Sequence, residues 1–135
     1  IYGYGENSIL NSYIKVHGCF AHICFQNLYL RESRTLNGSN RQPYLCEVTK
    51  CHFVEFSGCT LDANGITYDS VYARSSHVFL YNCGLYNALQ GLECYLAQGN
   101  VKDCCGSCSW AMVSYASLII ASGTVPAGSR GTGLV

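Results

Sequence analysis

Apolar and polar residues alternate along this chain with a period of two, in short runs broken by turn-forming residues, which is a strand signal. Five such runs, at residues 23–30, 54–61, 78–85, 99–106 and 118–125, fall on one eight-position template. Aligned, they put Phe25, Phe56, Leu80, Val101 and Ile120 in one apolar column. Two places on stand the turn formers Asn27, Gly58, Asn82, Asp103 and Ser122, followed by Leu28, Cys59, Cys83, Cys104 and Gly123. The register advances by 31, 24, 21 and 19 residues (25 to 56, 56 to 80, 80 to 101, 101 to 120). Periods of this size mark stacked supersecondary units that bury their apolar faces against one another.

Helical spacing is nowhere sustained, so each unit is a coil of strands and turns. The dense Leu-x-x-Leu-x-Leu frame of a leucine-rich repeat is missing. A parallel β-helix accepts Val, Ile, Phe, Cys and Asn in its inward columns and lets loops of any length leave the coil, which accounts for the shrinking period. The pattern predicts an all-β, right-handed, single-stranded parallel β-helix of five to six coils in a single domain over 1–135; the hand follows from the rule for parallel crossovers. A second strand family precedes the template, at residues 14–16, 45–48, 68–73, 92–96 and 112–116, and supplies another face of each coil. Residues 31–43, with three of the eight basic residues and an Asn-Gly pair, read as a loop leaving the coil. Residues 62–65 and 124–128 read as turns. The start at Ile1 and the lack of a polar cap after Gly131 suggest a piece of a longer protein, because solenoids need capped ends.

Composition narrows the function classes. Eight basic and eight acidic residues cancel, so the overall charge offers no attraction to nucleic acid or to an anionic membrane. No apolar run reaches the ~20 residues that span a bilayer. Ten cysteines would suit a disulfide framework, but rungs of a parallel sheet lie ~4.8 Å apart with parallel side chains, whereas a disulfide needs converging Cβ atoms ~3.8 Å apart. Cys59, Cys83 and Cys104 are therefore expected to be free thiols that fill space, which fits folding in a reducing cytoplasm.

Outward positions lie between the inward columns. One outward column is expected to hold Gln26, Ser57, Tyr81, Lys102 and Ala121, and another Cys24, Glu55, Phe79, Asn100 and Ile119. Phe79 and Tyr81 stand out on a solvated sheet, and Tyr72, Tyr95 and Tyr115 are spaced as a further aromatic stripe. Rings in line suit a sugar face or a subunit interface; the plain alternative is that strands favour Tyr. Glycoside hydrolysis asks for two carboxylates ~5 to 9.5 Å apart, and no acid in these columns stacks on another. Asp62, Asp69 and Glu93 could converge only through loops, and Asp103 reads as a turn residue in place of Asn. Cys19-x-x-His22-x-Cys24 and Cys104-Cys-x-x-Cys108 have zinc-compatible spacings, yet Cys104 belongs to the inward ladder, so no metal site is assigned. No nucleophile elbow, phosphate loop or dinucleotide fingerprint occurs, and no cofactor is expected.

Ile1-Tyr-Gly-Tyr-Gly5, the rungs Asn82-Cys-Gly-Leu85, Gly58-Cys-Thr-Leu61 and Asn27-Leu-Tyr-Leu30, and Ile120-Ala-Ser-Gly-Thr-Val-Pro-Ala-Gly128 resemble the pectate-lyase-like β-helix segments of tail fibre, spike and minor structural proteins of bacteriophages and prophages. The resemblance covers nearly the whole chain. It implies a virion component made in the bacterial cytoplasm, a homotrimer or a partner of other tail subunits, that contacts host cell-surface polysaccharide. It also implies, as the alternative, a polysaccharide depolymerase acting as lyase or glycoside hydrolase. The calcium-binding acidic cluster of the pectate lyases has no counterpart in the columns. The binding residues expected are Phe79, Tyr81, Tyr72, Tyr95 and Tyr115, with no catalytic residue assigned.

Overall fold

A computed structural model describes residues 1, 3, 9–34 and 44–128; residues 35–43 of the expected polar loop lie outside that set. The described residues form sixteen strands and no helix. Sheet A stacks β3 (His22–Gln26), β6 (Phe53–Ser57), β9 (His77–Tyr81), β12 (Gln98–Lys102) and β15 (Leu118–Ser122). Sheet C stacks β2 (Ile14–His17), β5 (Tyr44–Thr49), β8 (Asp69–Arg74), β11 (Gln90–Tyr95) and β14 (Trp110–Tyr115). Sheet B holds six short strands: β1 (Ile9–Asn11), β4 (Tyr29–Arg31), β7 (Thr60–Asp62), β10 (Gly84–Tyr86), β13 (Cys105–Cys108) and β16 (Ala127–Gly128). The chain visits B, C and A in turn, and each strand pairs in parallel with its counterpart one coil away. The protein is thus a parallel β-solenoid of about five turns with three faces. Sheet B was hidden at the end of the template, whose last two positions begin its strands in the first four units.

The interior is the stack of inward columns. Phe25, Phe56, Leu80 and Val101 pair in consecutive rungs, and the rings of Phe25 and Phe56 stack at 5.0 Å. Leu30, Leu61 and Leu85 do the same in sheet B, and all are almost fully buried. Burying one such side chain contributes roughly 1.5–3 kcal/mol. Gly106 continues the sheet B column because a Cβ there, at φ 138°, would run into the Leu85 backbone.

The fifth unit departs from the expected register. Val101 pairs with Ala121, and Ile120 faces outward, 49% exposed, opposite Asn100. Ile119, expected outside, is 2% exposed in the core. The cause is the turn column. Asn27, Gly58, Asn82, Asp103 and Gly123 all take positive φ, between 51° and 67°, so Gly123 rather than Ser122 fills the turn and shifts the unit by one residue. Glycine enters this region without a Cβ penalty. The last step is therefore 20 residues (103 to 123), not 19, and the outward columns end on Ser122 and Ile120.

A second left-handed turn joins sheet C to sheet A at Gly18, Lys50, Ser75, Leu96 and Ala116, with φ between 47° and 64°. A ladder of backbone hydrogen bonds holds it, from Gly18 N to Thr49 O (2.9 Å) through Leu96 N to Tyr115 O (3.0 Å). A third irregularity bends sheet C near its start. The strict pairing resumes only after Leu45, Ser70, Gly91 and Ala111, all buried. At Gly91 the coils approach so closely that a Cβ would lie 2.5 Å from the Ala111 carbonyl oxygen.

Candidate functional site

The outward side of sheet A is a ladder of rings and polar groups. His22, Phe53 and His77 form its first row, edge to face at 4.6 and 4.7 Å. Glu55 accepts from His22 Nε2 at 3.1 Å, and Asn100 Nδ2 donates to His77 Nε2 at 2.5 Å. Burial, then neighbouring His52, lowers the His77 pKa, so the ring stays neutral and can accept that bond. Phe79 pairs with Glu55 and Asn100, and Tyr81 with Ser57 and Lys102. Being two residues apart on one strand, their rings share a face and stand 6.3 Å apart, 18° from parallel. The Lys102 ammonium lies 5.7 Å from the Tyr81 ring centre. Tyr81 is 40% exposed, whereas Phe79 is half-buried by these neighbours rather than freely exposed.

On sheet C the expected stripe of three tyrosines divides. Tyr95 and Tyr115 pair in register with rings 6.2 Å apart, and Arg74 in the preceding rung lies 5.4 Å from the Tyr95 ring. Tyr72 belongs to another column, between Glu47 and Glu93, and stacks on Tyr44 at 4.2 Å. The numerical spacing of 23 from Tyr72 to Tyr95 carries Tyr95 past the true partner of Tyr72 by two residues, since Glu93 occupies that rung.

The bend in sheet C also joins two acids that straight alternation keeps apart. Asp69 pairs with Gln90, and with the Gln90 amide turned so that its nitrogen faces the two acids, it donates to Glu93 Oε2 (2.8 Å) and Asp69 Oδ1 (3.3 Å). Burial first, then the Glu93 charge and a hydrogen bond with Glu93, push the Asp69 carboxyl up to about 8. Asp69 therefore holds its proton near neutrality, as a carboxyl buried beside another acid does. Burial and the surrounding acids raise the Tyr44 hydroxyl to about 12. Asp62 is elsewhere, on sheet B, where it accepts from Asn64 N and Asn87 Nδ2 as a turn organiser.

The thiols occupy the wall. All ten cysteines are free. Cys59, Cys83 and Cys104 sit in one inward column, and each donates to backbone carbonyls, Cys83 to Phe56 O at 3.2 Å and Tyr81 O at 3.3 Å. Hydrogen bonding to Cys104 and Cys59, reinforced by burial, drives the Cys83 pKa far up, and burial raises Cys94 to about 12. A thiol so held is a poor nucleophile. His22 is engaged by Glu55 rather than by Cys19 or Cys24. Among the described residues no group of three His, Cys, Asp or Glu side chains stands in metal-binding geometry, and no helix is long and apolar enough to cross a membrane.

Comparison with known proteins adds no relative: no family, no curated protein and no solved structure matches this chain.

Proposed function

We propose that this chain is a structural and adhesive β-helix segment of a phage tail fibre or tailspike that contacts host surface polysaccharide. The carrying observation is the sheet A face, where stacked Phe79 and Tyr81 stand beside the His22, Phe53 and His77 ladder on a rigid wall. Rings in fixed register offer apolar faces to sugars, and the histidines, Asn100 and Lys102 offer hydrogen bonds. The phage setting is supported by the resemblance of the Asn-Cys-x-Leu rungs, and a homotrimer or other tail subunits are the proposed partners. The test is retention on immobilised capsular or wall polysaccharide, with oligomeric state measured in parallel. Phe79→Ser/Tyr81→Ser is expected to lose glycan retention or assembly and to keep its β circular dichroism. Unchanged retention and assembly would return the rings to ordinary strand preference.

The Asp69–Glu93 pair favours a second reading, a polysaccharide depolymerase with Asp69 as a proton donor. Its geometry argues against the usual schemes, because two carboxyls in hydrogen-bond contact leave no room for a water or a glycosyl carbon between them. New reducing ends or unsaturated uronates after incubation with host polysaccharide would establish that reading.

A further inference from the structure

Although the chain is neutral as a whole, its cations are not evenly spread. A groove of about 410 Å³ on sheet C is lined by Lys15, His17, Lys50 and Arg74, with Glu47 as the acid among its lining residues. Lys15 neutralises Glu47 at 3.3 Å, and His17 is oriented by a 2.6 Å bond between its Nδ1 and Thr49 Oγ1. Among the described residues Lys50 and Arg74 meet no carboxylate: Lys50 is exposed on its left-handed turn, and Arg74 lies exposed beside the Tyr95 ring. Glu93, farther back along the sheet, is occupied with Asp69 and Gln90.

The arrangement is directional. His17, Thr49, Arg74, Tyr95 and Tyr115 are consecutive members of one outward column, with rungs ~4.8 Å apart. The column is polar and cationic at one end and aromatic at the other. A second groove, of about 630 Å³, shares Lys50 and Ser75 with the first and continues over the turn toward His52, His77 and Gln98. The two grooves together link sheet C to the ring-bearing face of sheet A.

We infer that this groove is an oxyanion subsite for an acidic glycan: Lys50 and Arg74 engage a carboxylate or phosphate substituent of the polymer, and Tyr95 and Tyr115 receive the face of a neighbouring sugar. The inference rests on the adhesive reading above and names the class of glycan. A neutral polymer would gain no charge from these two cations, whereas an acidic one supplies charge-assisted hydrogen bonds, bidentate at Arg74.

The experiment measures retention of the 135-residue chain on immobilised alginate (carboxylate), poly(glycerol phosphate) (phosphate), dextran (neutral) and polyglutamate (acidic but not a glycan). Retention on alginate or on poly(glycerol phosphate), weakening with added salt, is expected, and which of the two binds identifies the anion. Lys50→Asn/Arg74→Gln should weaken it about tenfold or more, the equivalent of one charged contact. Asn keeps the left-handed turn at position 50, so circular dichroism should be unchanged, and Lys50→Arg with Arg74 intact should keep most of the binding, whereas Arg74→Lys should keep the charge but lose the bidentate share. Equal retention on dextran, equal retention on polyglutamate, or no loss in the charge variant would each overturn the inference. The sheet A variant Phe79→Ser/Tyr81→Ser separates the two readings. Alginate retention that survives this variant but not the charge variant supports the groove independently of the sheet A face; the reverse result overturns the groove and leaves that face standing.

Discussion

Strands β9 and β15 lie in the same sheet, two rungs apart, and both carry apolar residues on each side of the wall. In β9, Val78 and Leu80 are fully buried and Phe79 and Tyr81 face out. In β15 the core receives Ile119 and the small Ala121, while Leu118 and Ile120 remain 44% and 49% exposed. Hydrophobicity alone does not distinguish them. The turn does: Asn82 ends β9 unambiguously, but Ser122 and Gly123 stand side by side where β15 ends, and the residue that best tolerates positive φ sets the register.

The sharpest way to break this comparison is to truncate one side chain in each strand. Leu80→Ala should cost about 3 kcal/mol, through lost transfer energy and the cavity left in a fixed wall, and Ile120→Ala within about 0.5 kcal/mol. Denaturant unfolding of the two variants checks this, and equal losses would mean that Ile120 is inside after all. Gly123→Ala should follow at about 1–2 kcal/mol, because alanine is strained at φ 67° and its Cβ would crowd the Asp103 carboxylate. Ser122→Ala at the neighbouring position should change little.

Asp69 sharpens the rule from another direction, as an acid on the outer side of the wall that is nonetheless buried by the bend. Its folded pKa of about 8 lies above the unfolded value near 4. The native state therefore holds more protons between these values, and the stability it contributes is present below about pH 4 and lost as pH rises through 8. The slope approaches at most one proton, about 1.4 kcal/mol per pH unit. Asp69→Asn should flatten that part of the stability–pH curve. An unchanged curve would mean that Asp69 is already ionised.

Much of the fold was legible because repeats expose it. Phe25, Phe56, Leu80 and Val101 recur at one position of the repeat, and Cys59, Cys83 and Cys104 stand three residues after the last three of them. The second turn column was not legible, because Lys50, Ser75, Leu96 and Ala116 carry no common turn signal; their left-handed conformation is imposed by the ladder above and below. The site was less legible still. Counting by twos keeps Asp69 and Glu93 on opposite sides, and only the bend near Ser70 and Gly91 brings them together. Likewise a net charge of zero conceals Lys15, Lys50 and Arg74, which three successive coils deliver to one groove.

Inward positions fold this solenoid, and outward rings of the same strands are proposed to bind. Phe79→Ser/Tyr81→Ser should accordingly cost only about 1–2 kcal/mol in total, less than Leu80→Ala alone. Hydroxyl-radical footprinting of the unmodified chain, with and without host polysaccharide, tests the claim most directly. Oxidation of Tyr81 is expected to fall when the polysaccharide is present, with smaller protection at half-buried Phe79. Oxidation of these rings at the same rate in its presence, under conditions where the polysaccharide is retained, would contradict the claim.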